Sequence, residues 1–160
     1  NKKLKKFFFL AEVITVAPEQ MGDDFVISEK QIKYALGNKK RQAVVIRTMP
    51  NLGDKRSKKY SDTNPTYLTE AAAKHLVKKG VEHLLVDLPS VDKERDGGEL
   101  LAHRAFWNMA GKPRTKATIT EFIYVPNPVE DGAYFLDLQV APFENDASPS
   151  RPVLYKIENQ

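Results

Sequence analysis

Two residues of types that bind transition metals, His103 and Glu121, stand 18 positions apart in neighbouring predicted elements. His103 begins a predicted helix after an acidic loop rich in proline and glycine, and Glu121 lies within an apolar strand. Imidazole nitrogens and carboxylate oxygens are ligands for zinc and related ions. The spacing is therefore compatible with a metal site, although spacing alone does not favour it. Two ligands do not complete one, so a histidine bonded to loop backbone at a helix start remains the alternative.

The acidic loop before His103 contains three further candidates, Asp87, Ser90 and Asp92. Asp87 ends a predicted buried strand, and open α/β sheets bind ligands at the carboxyl ends of their strands. The other interpretation of Asp87 is a carboxylate that accepts hydrogen bonds from loop amides. Ser90 and Asp92 are expected to hold the loop. A nucleophilic Ser90 would need His103 as its base, and the chain has no Gly-x-Ser-x-Gly elbow.

The position of Glu121 in its strand favours the ligand interpretation. Strand alternation predicts that Ile119, Glu121 and Ile123 share one face. A carboxylate among apolar side chains is costly unless it is paired or bound to a metal. The remaining histidines, His75 and His83, are interpreted as structural or solvated.

Two further pairs of residues could contact a substrate. Phe106 and Trp107 follow His103, and they either pack in the core or form an aromatic wall for a planar molecule. Ser148 and Arg151 lie in a predicted turn before the last strand, where Arg151 could anchor a carboxylate or pair with an acidic neighbour.

The elements that must position these residues alternate along the chain. Ser28 and Gln31 form a predicted capping box for one helix, and Thr69 caps a second helix that ends near Gly80. Predicted strands are 7–16, 42–48, 82–88, 118–125, 133–142 and 152–158, and residues 49–68 form a long polar stretch. Strands alternating with helices imply parallel crossovers, and the late strands add an antiparallel part. The prediction is an α/β fold with a mixed sheet, in one domain spanning residues 1–160.

Five short motifs follow one another in a recognisable order. They are Asp87-Leu-Pro89-Ser90-Val-Asp92, His103-Arg-Ala-Phe106, Ile119-Thr-Glu121, Asp131-Gly132-Ala-Tyr134 and Asp146-Ala-Ser148-Pro149-Ser-Arg151. In this order they resemble the cyclase family of metal-dependent hydrolases, which includes bacterial kynurenine formamidases and isatin hydrolases. The resemblance extends from about Phe8 to Ile157, and the shared order makes it more specific than any single motif.

The resemblance implies a swivelling β/β/α sandwich and a hydrolase of amide C–N bonds. The substrate would be a small amide, either an aryl formamide or a cyclic amide, attacked by metal-activated water. His103 and Glu121 would supply part of the metal shell, with zinc as the expected ion and manganese or magnesium as alternatives. A homodimer is also implied. The alternative function is that of a metal-free structural or binding homologue of the same fold.

One family motif, His-x-Gly-Thr-His-x-Asp-x-Pro-x-His, has no counterpart in this sequence. The motif precedes the others in the family, and this chain opens at Asn1. We therefore expect the chain to be about the C-terminal two thirds of a family member. The missing motif would carry the remaining metal ligands and the catalytic base, so no catalytic base is assigned within this chain.

The charge balance gives little support to a polyanionic partner. The chain has 25 basic and 21 acidic residues, and much of the excess lies in the clusters 2–6 and 38–41. A basic nucleic-acid-binding module would use these clusters and would bind with a steep salt dependence. Solvated turns beside strands are the preferred interpretation, so we expect no nucleic-acid partner.

The chain contains no cysteine, which excludes disulfides and thiolate metal sites. This composition fits a reducing compartment, and we expect a cytoplasmic protein. A signal peptide on an upstream segment would instead direct the protein to the periplasm or outside the cell. No segment is long and apolar enough to span a bilayer, so no membrane partner is expected.

Overall fold

A computed structural model describes residues 3–157 of the chain. Lys2 of the first basic cluster and residue 158 of the last predicted strand lie outside this range. The strands are β1 (Phe8–Val16), β2 (Glu19–Met21), β3 (Asp24–Ile27), β4 (Ala43–Thr48), β5 (Tyr67–Leu68), β6 (His83–Val86), β7 (Thr118–Thr120), β8 (Gly132–Asp137) and β9 (Val153–Lys156). The helices are α1 (Glu29–Leu36), α2 (Glu70–Lys78) and α3 (Leu101–Phe106).

The main sheet has six strands in the order β7-β6-β4-β1-β8-β9. Its first four strands are parallel, and β8 and β9 add an antiparallel part. The predicted α/β class with a mixed sheet is therefore confirmed. A second sheet, β2-β3-β5, was not predicted, because its strands are only two to four residues long and carry no readable alternation.

The helices begin where the sequence places their caps. The Ser28 hydroxyl accepts from the Gln31 amide while the Gln31 side chain accepts from the Ser28 amide, which is a complete capping box. The Thr69 hydroxyl accepts from the amide of Ala72 at the start of α2. These local hydrogen bonds fix where the two longer helices begin.

Two apolar cores lie on opposite faces of the main sheet. One contains the buried faces of the helices, with Ile32, Leu76 and Phe106, packed on alternate residues of the parallel strands. The other is covered by the segment that follows β7, which contributes Ile123 and Val125. β4 and β6 are buried along their whole length because both of their faces are covered.

Two predictions about the region around Glu121 are wrong. The seventh strand ends at Thr120 rather than near residue 125. Ile119 packs in the core beneath the helices and Ile123 in the opposite core, so the two side chains do not share a face. The cause is a turn at Phe122, where the backbone takes a φ of 56° and leaves the sheet.

In the range 3–157 there is no helix with the length and apolar character needed to cross a membrane.

Candidate functional site

The carboxyl ends of β6 and β7 carry the residues that the sequence singled out. The loop after β6 returns to start α3, and Asp92 in that loop holds the start of the helix. One Asp92 oxygen accepts from the Ala102 amide and the other from the His103 amide. A loop carboxylate thus substitutes for a capping side chain and fixes the position of His103.

His103 is held by its ring as well as by its backbone. Its Nδ1 atom lies 2.6 Å from Oδ2 of Asp92. In the neutral ring, this contact places the proton on Nδ1 and leaves the lone pair of Nε2 available, which is how metal-binding histidines are oriented. The Nε2 atom lies 3.6 Å from Oε1 of Glu121.

Glu121 is oriented by the loop after β6. Its Oε1 atom accepts a hydrogen bond of 2.8 Å from the amide of Val91. The chain thus brings the predicted ligands His103 and Glu121 together, because β7 lies beside β6 and the loop from β6 reaches both residues.

The surroundings of His103 shift two pKa values. Burial alone would lower the pKa of His103. The hydrogen bond to Asp92 and the negative charges of Glu121, Asp92 and Asp96 outweigh burial and raise it above the ordinary value. Burial raises the pKa of Asp92, but hydrogen bonds from His103 and from the Ala102 amide bring it below its ordinary value.

The geometry fits one side of a metal coordination sphere. With bonds of about 2.1 Å, two ligands of a tetrahedral zinc ion are separated by about 3.4 Å, close to the observed 3.6 Å between Nε2 and Oε1. Within residues 3–157, no group of three or more histidine or acidic side chains is placed to hold an ion. A complete shell therefore needs ligands from outside this set.

Two cavities flank the His103–Glu121 pair. The larger cavity, about 780 Å³, is lined by His103, Trp107, Glu121, Ser148 and Arg151. The rings of His103 and Trp107 have centroids 5.0 Å apart. The smaller cavity, about 430 Å³, is lined by Ser90 and Asp92 among others. Phe122 lines both cavities, and this residue was missed in the sequence because nothing in its type or spacing marks it.

The remaining predicted residues fall into different environments. Phe106 is fully buried in the core beneath the helices and lines neither cavity. Asp87 is buried and accepts from the Thr48 amide, the Thr48 hydroxyl and Lys55. The Ser90 hydroxyl accepts from the Asp92 amide at 3.1 Å, which is the loop-holding role expected for it. His75 and His83 lie away from His103, on α2 and at the start of β6.

Known proteins share this arrangement of elements. The family model Cyclase, described as putative cyclase, matches residues 1–93. The chain belongs to the cyclase family. No curated protein matches it in sequence.

Three solved structures described as hydrolases show the same fold. The first, described as a potential metal-dependent hydrolase with cyclase activity, has a TM-score of 0.69 at 16% identity, covering 96% of this chain and 67% of that one. A predicted metal-dependent hydrolase from Bacillus stearothermophilus has a TM-score of 0.65 at 17% identity, covering 92% and 63%. Isatin hydrolase A from Labrenzia aggregata, bound to benzyl benzoate, has a TM-score of 0.65 at 13% identity, covering 92% and 60%. The chain thus spans about 60–67% of the length of these structures.

Proposed function

We propose that this chain is part of a metal-dependent hydrolase of amide C–N bonds, in which His103 and Glu121 hold one side of a divalent ion. The observation that carries the proposal is the 3.6 Å approach of His103 Nε2 to Glu121, with Nδ1 engaged by Asp92. Membership of the cyclase family and a fold shared with metal-dependent hydrolases support it.

The residues of this chain would act mainly by orientation. Asp92 keeps the Nε2 lone pair of His103 directed at the ion, and the Val91 amide keeps Glu121 beside it. A divalent ion bound there would polarise the amide carbonyl and lower the pKa of a bound water. Zinc suits a histidine and a carboxylate, with manganese or magnesium as alternatives. The catalytic base and the other ligands are proposed to lie outside this chain.

The proposed substrate is a small amide with a planar group, an aryl formamide or a cyclic amide. Support comes from Trp107 beside His103 in the larger cavity and from Phe122 between the two cavities. A solved isatin hydrolase of the same fold has an aromatic ligand, benzyl benzoate, bound.

The proposed assembly is a homodimer, and the proposed location is the cytoplasm. An apolar strip crosses three neighbouring strands, where Phe8, Leu10, Phe135 and Tyr155 are exposed. Exposed strips of this kind mark interaction surfaces. Sedimentation at several protein concentrations tests the assembly: a mass that stays at that of one chain would refute the dimer.

Metal content and hydrolysis test the function together. Elemental analysis of the intact protein after incubation with zinc or manganese should give stoichiometric metal in the wild type and in the control H75A, and much less in the double variant H103A/E121A. The rate at which the intact protein releases aniline from formanilide should be high in the variants that contain metal and low in H103A/E121A. A wild-type protein that takes up no metal from excess ion would refute the proposal.

A metal-free binding homologue is the second candidate. It is favoured by the hydrogen bonds that hold His103 to Asp92 and Glu121 to the Val91 amide without an ion. This candidate predicts that the wild type and H103A/E121A do not differ in metal content.

A further inference from the structure

Phe122 has a backbone conformation that a bulky side chain rarely adopts. Its φ is 56°, in the left-handed region, where the Cβ atom crowds the backbone. Its amide donates to the Leu88 carbonyl at 2.9 Å, and the next amide, of Ile123, donates to Val86 at 3.2 Å. The chain therefore turns at Phe122 to reach the opposite face of the sheet. The turn requires a positive φ at this position, but asparagine or glycine would adopt that conformation with less strain than phenylalanine.

Packing does not explain the phenyl ring either. The residue remains 67% exposed. Its ring meets that of Tyr60 edge to face, with centroids 6.0 Å apart. A ring left mostly in water returns little hydrophobic free energy to offset the strain. A strained residue with an exposed ring is instead typical of positions where the side chain has a role in binding.

The location of the ring indicates what that role is. Phe122 directly follows Glu121, and it lines both the larger cavity with His103 and the smaller cavity with Tyr60 and Ser90. A molecule whose reacting group lies at the His103–Glu121 pair would therefore have the Phe122 ring beside it. Tyr60 contacts the ring from the smaller cavity.

We propose that Phe122 is a specificity-determining residue of the proposed hydrolase, and that its ring, supported by Tyr60, stacks on a flat aromatic group of the substrate. This inference rests on the proposed function, since it needs a substrate held at His103 and Glu121. Stacked or edge-to-face aromatic pairs prefer centroid separations of 4.5–7 Å and favour a planar partner over a puckered ring of the same size.

Two amides that differ only in ring planarity test the proposal. Formanilide and N-cyclohexylformamide carry the same formamide group, and both are titrated by NMR into the zinc-loaded intact protein that contains this chain. The wild type should bind formanilide roughly two- to tenfold more tightly than the cyclohexyl compound. The variants F122N and F122L should lose this preference, and F122L controls for the loss of apolar bulk.

Thermal unfolding of the metal-free variants supplies an independent readout. Because asparagine tolerates a positive φ, F122N should have a higher Tm than the wild type although it has lost the preference. A purely structural ring would give the opposite result, a lower Tm, and that outcome would overturn the proposal. If F122N keeps the preference for formanilide over N-cyclohexylformamide, the proposal is also overturned. The same holds if F122N differs from the wild type only in oligomeric mass.

The two proposals fail in distinguishable ways. If the wild type binds no zinc at His103, the proposed function is refuted, and the role of Phe122 is refuted with it. If zinc binds and formanilide shows no advantage, only the role of Phe122 is refuted.

Discussion

Two clusters, each with a carboxylate and a basic side chain, lie at the carboxyl ends of the parallel strands of the main sheet. In the first, Asp87 has a side chain that is 0% exposed, and Lys55 donates to it at 2.8 Å and to the Thr48 hydroxyl at 3.0 Å. In the second, Asp92 holds His103 at 2.6 Å, and His103 Nε2 faces Glu121 at the wall of a large cavity. We call the first cluster closed, because its charges are paired with each other although a cavity of about 260 Å³ lies beside it. We call the second open, because the neutral His103 ring keeps a lone pair at Nε2.

The difference shows why residue type alone does not identify a functional site. Both clusters follow parallel strands, where open α/β sheets bind ligands. In the closed cluster, Lys55 is matched by acceptors, so the group fastens the loop after β4. In the open cluster, the neutral imidazole keeps a lone pair directed at a second carboxylate. Hydrogen-bond satisfaction, rather than residue type, distinguishes the two clusters.

The largest expected effect is a loss of stability on opening the closed cluster. Asp87→Asn leaves the largely buried Lys55 without its counter-charge, and breaking a buried pair costs up to about 3–5 kcal/mol of unfolding free energy. Urea unfolding measures the loss. The control is Asp54→Asn, which removes an exposed carboxylate next to Lys55. A loss below about 1 kcal/mol in Asp87→Asn would show that the cluster is not closed.

The unfolding free energy should also depend on pH through His83, which lies at the amino end of β6. Burial, assisted by the charge of Arg114, lowers its pKa to about 4. Between pH 6.5 and 4 the unfolded chain binds a proton that the folded chain does not, so stability falls as the pH is lowered through this window, by up to about 3 kcal/mol. Unfolding midpoints measured from pH 7 to 4 should show this slope, and His83→Gln should flatten it. An equal slope in the variant would assign the effect to other groups.

The open cluster should tolerate a change that the closed one does not. Glu121→Gln keeps an oxygen that can accept from the Val91 amide, and Glu121 is partly exposed, so the unfolding free energy should change by less than about 1 kcal/mol. The same urea experiment compares it with Asp87→Asn. If the two variants lose equal stability, the distinction between an open and a closed cluster fails.

The smallest effect concerns the proton on His103. Its raised pKa means that the protonated ring stabilises the fold below the ordinary value near 6.5, and that this contribution is lost as the pH rises through the folded value. The contribution of His103 to stability therefore falls as the pH rises, whereas that of His83 falls as the pH is lowered. Asp92→Asn should lower the pKa of His103, and an NMR titration of the ring measures the shift directly. A His103 pKa that stays unchanged in the variant would show that Asp92 does not control this ring.

Much of the fold could be predicted because its signals are local. The capping residues Ser28 and Thr69 fix the helix starts through hydrogen bonds to residues three positions away. The buried runs of β4 and β6 likewise indicate strands covered on both faces. The end of β7 could not be predicted, because phenylalanine rarely takes a positive φ. The pattern of apolar and polar residues around Phe122 gives no indication of the turn.

The site could be predicted only in part, for a similar reason. The types and order of His103 and Glu121 indicated a shared metal site, and Asp92 was singled out without its role as the partner of His103. Tyr60 and Lys55 were missed because both belong to a loop whose approach to the β6 edge depends on the tertiary fold. Asp87 was equally balanced between ligand and structural roles, and its three hydrogen bonds favour the structural one.

A divalent ion bound by the open cluster should be held through Nε2 of His103. The chain has three histidines, so side-chain nitrogen NMR during a zinc titration can follow each ring separately. We expect that the Nε2 signal of His103 shifts with zinc, that His75 and His83 do not respond, and that Glu121→Gln weakens the response. Zinc at millimolar concentration that leaves His103 unchanged, or that acts first on His75, would contradict this expectation.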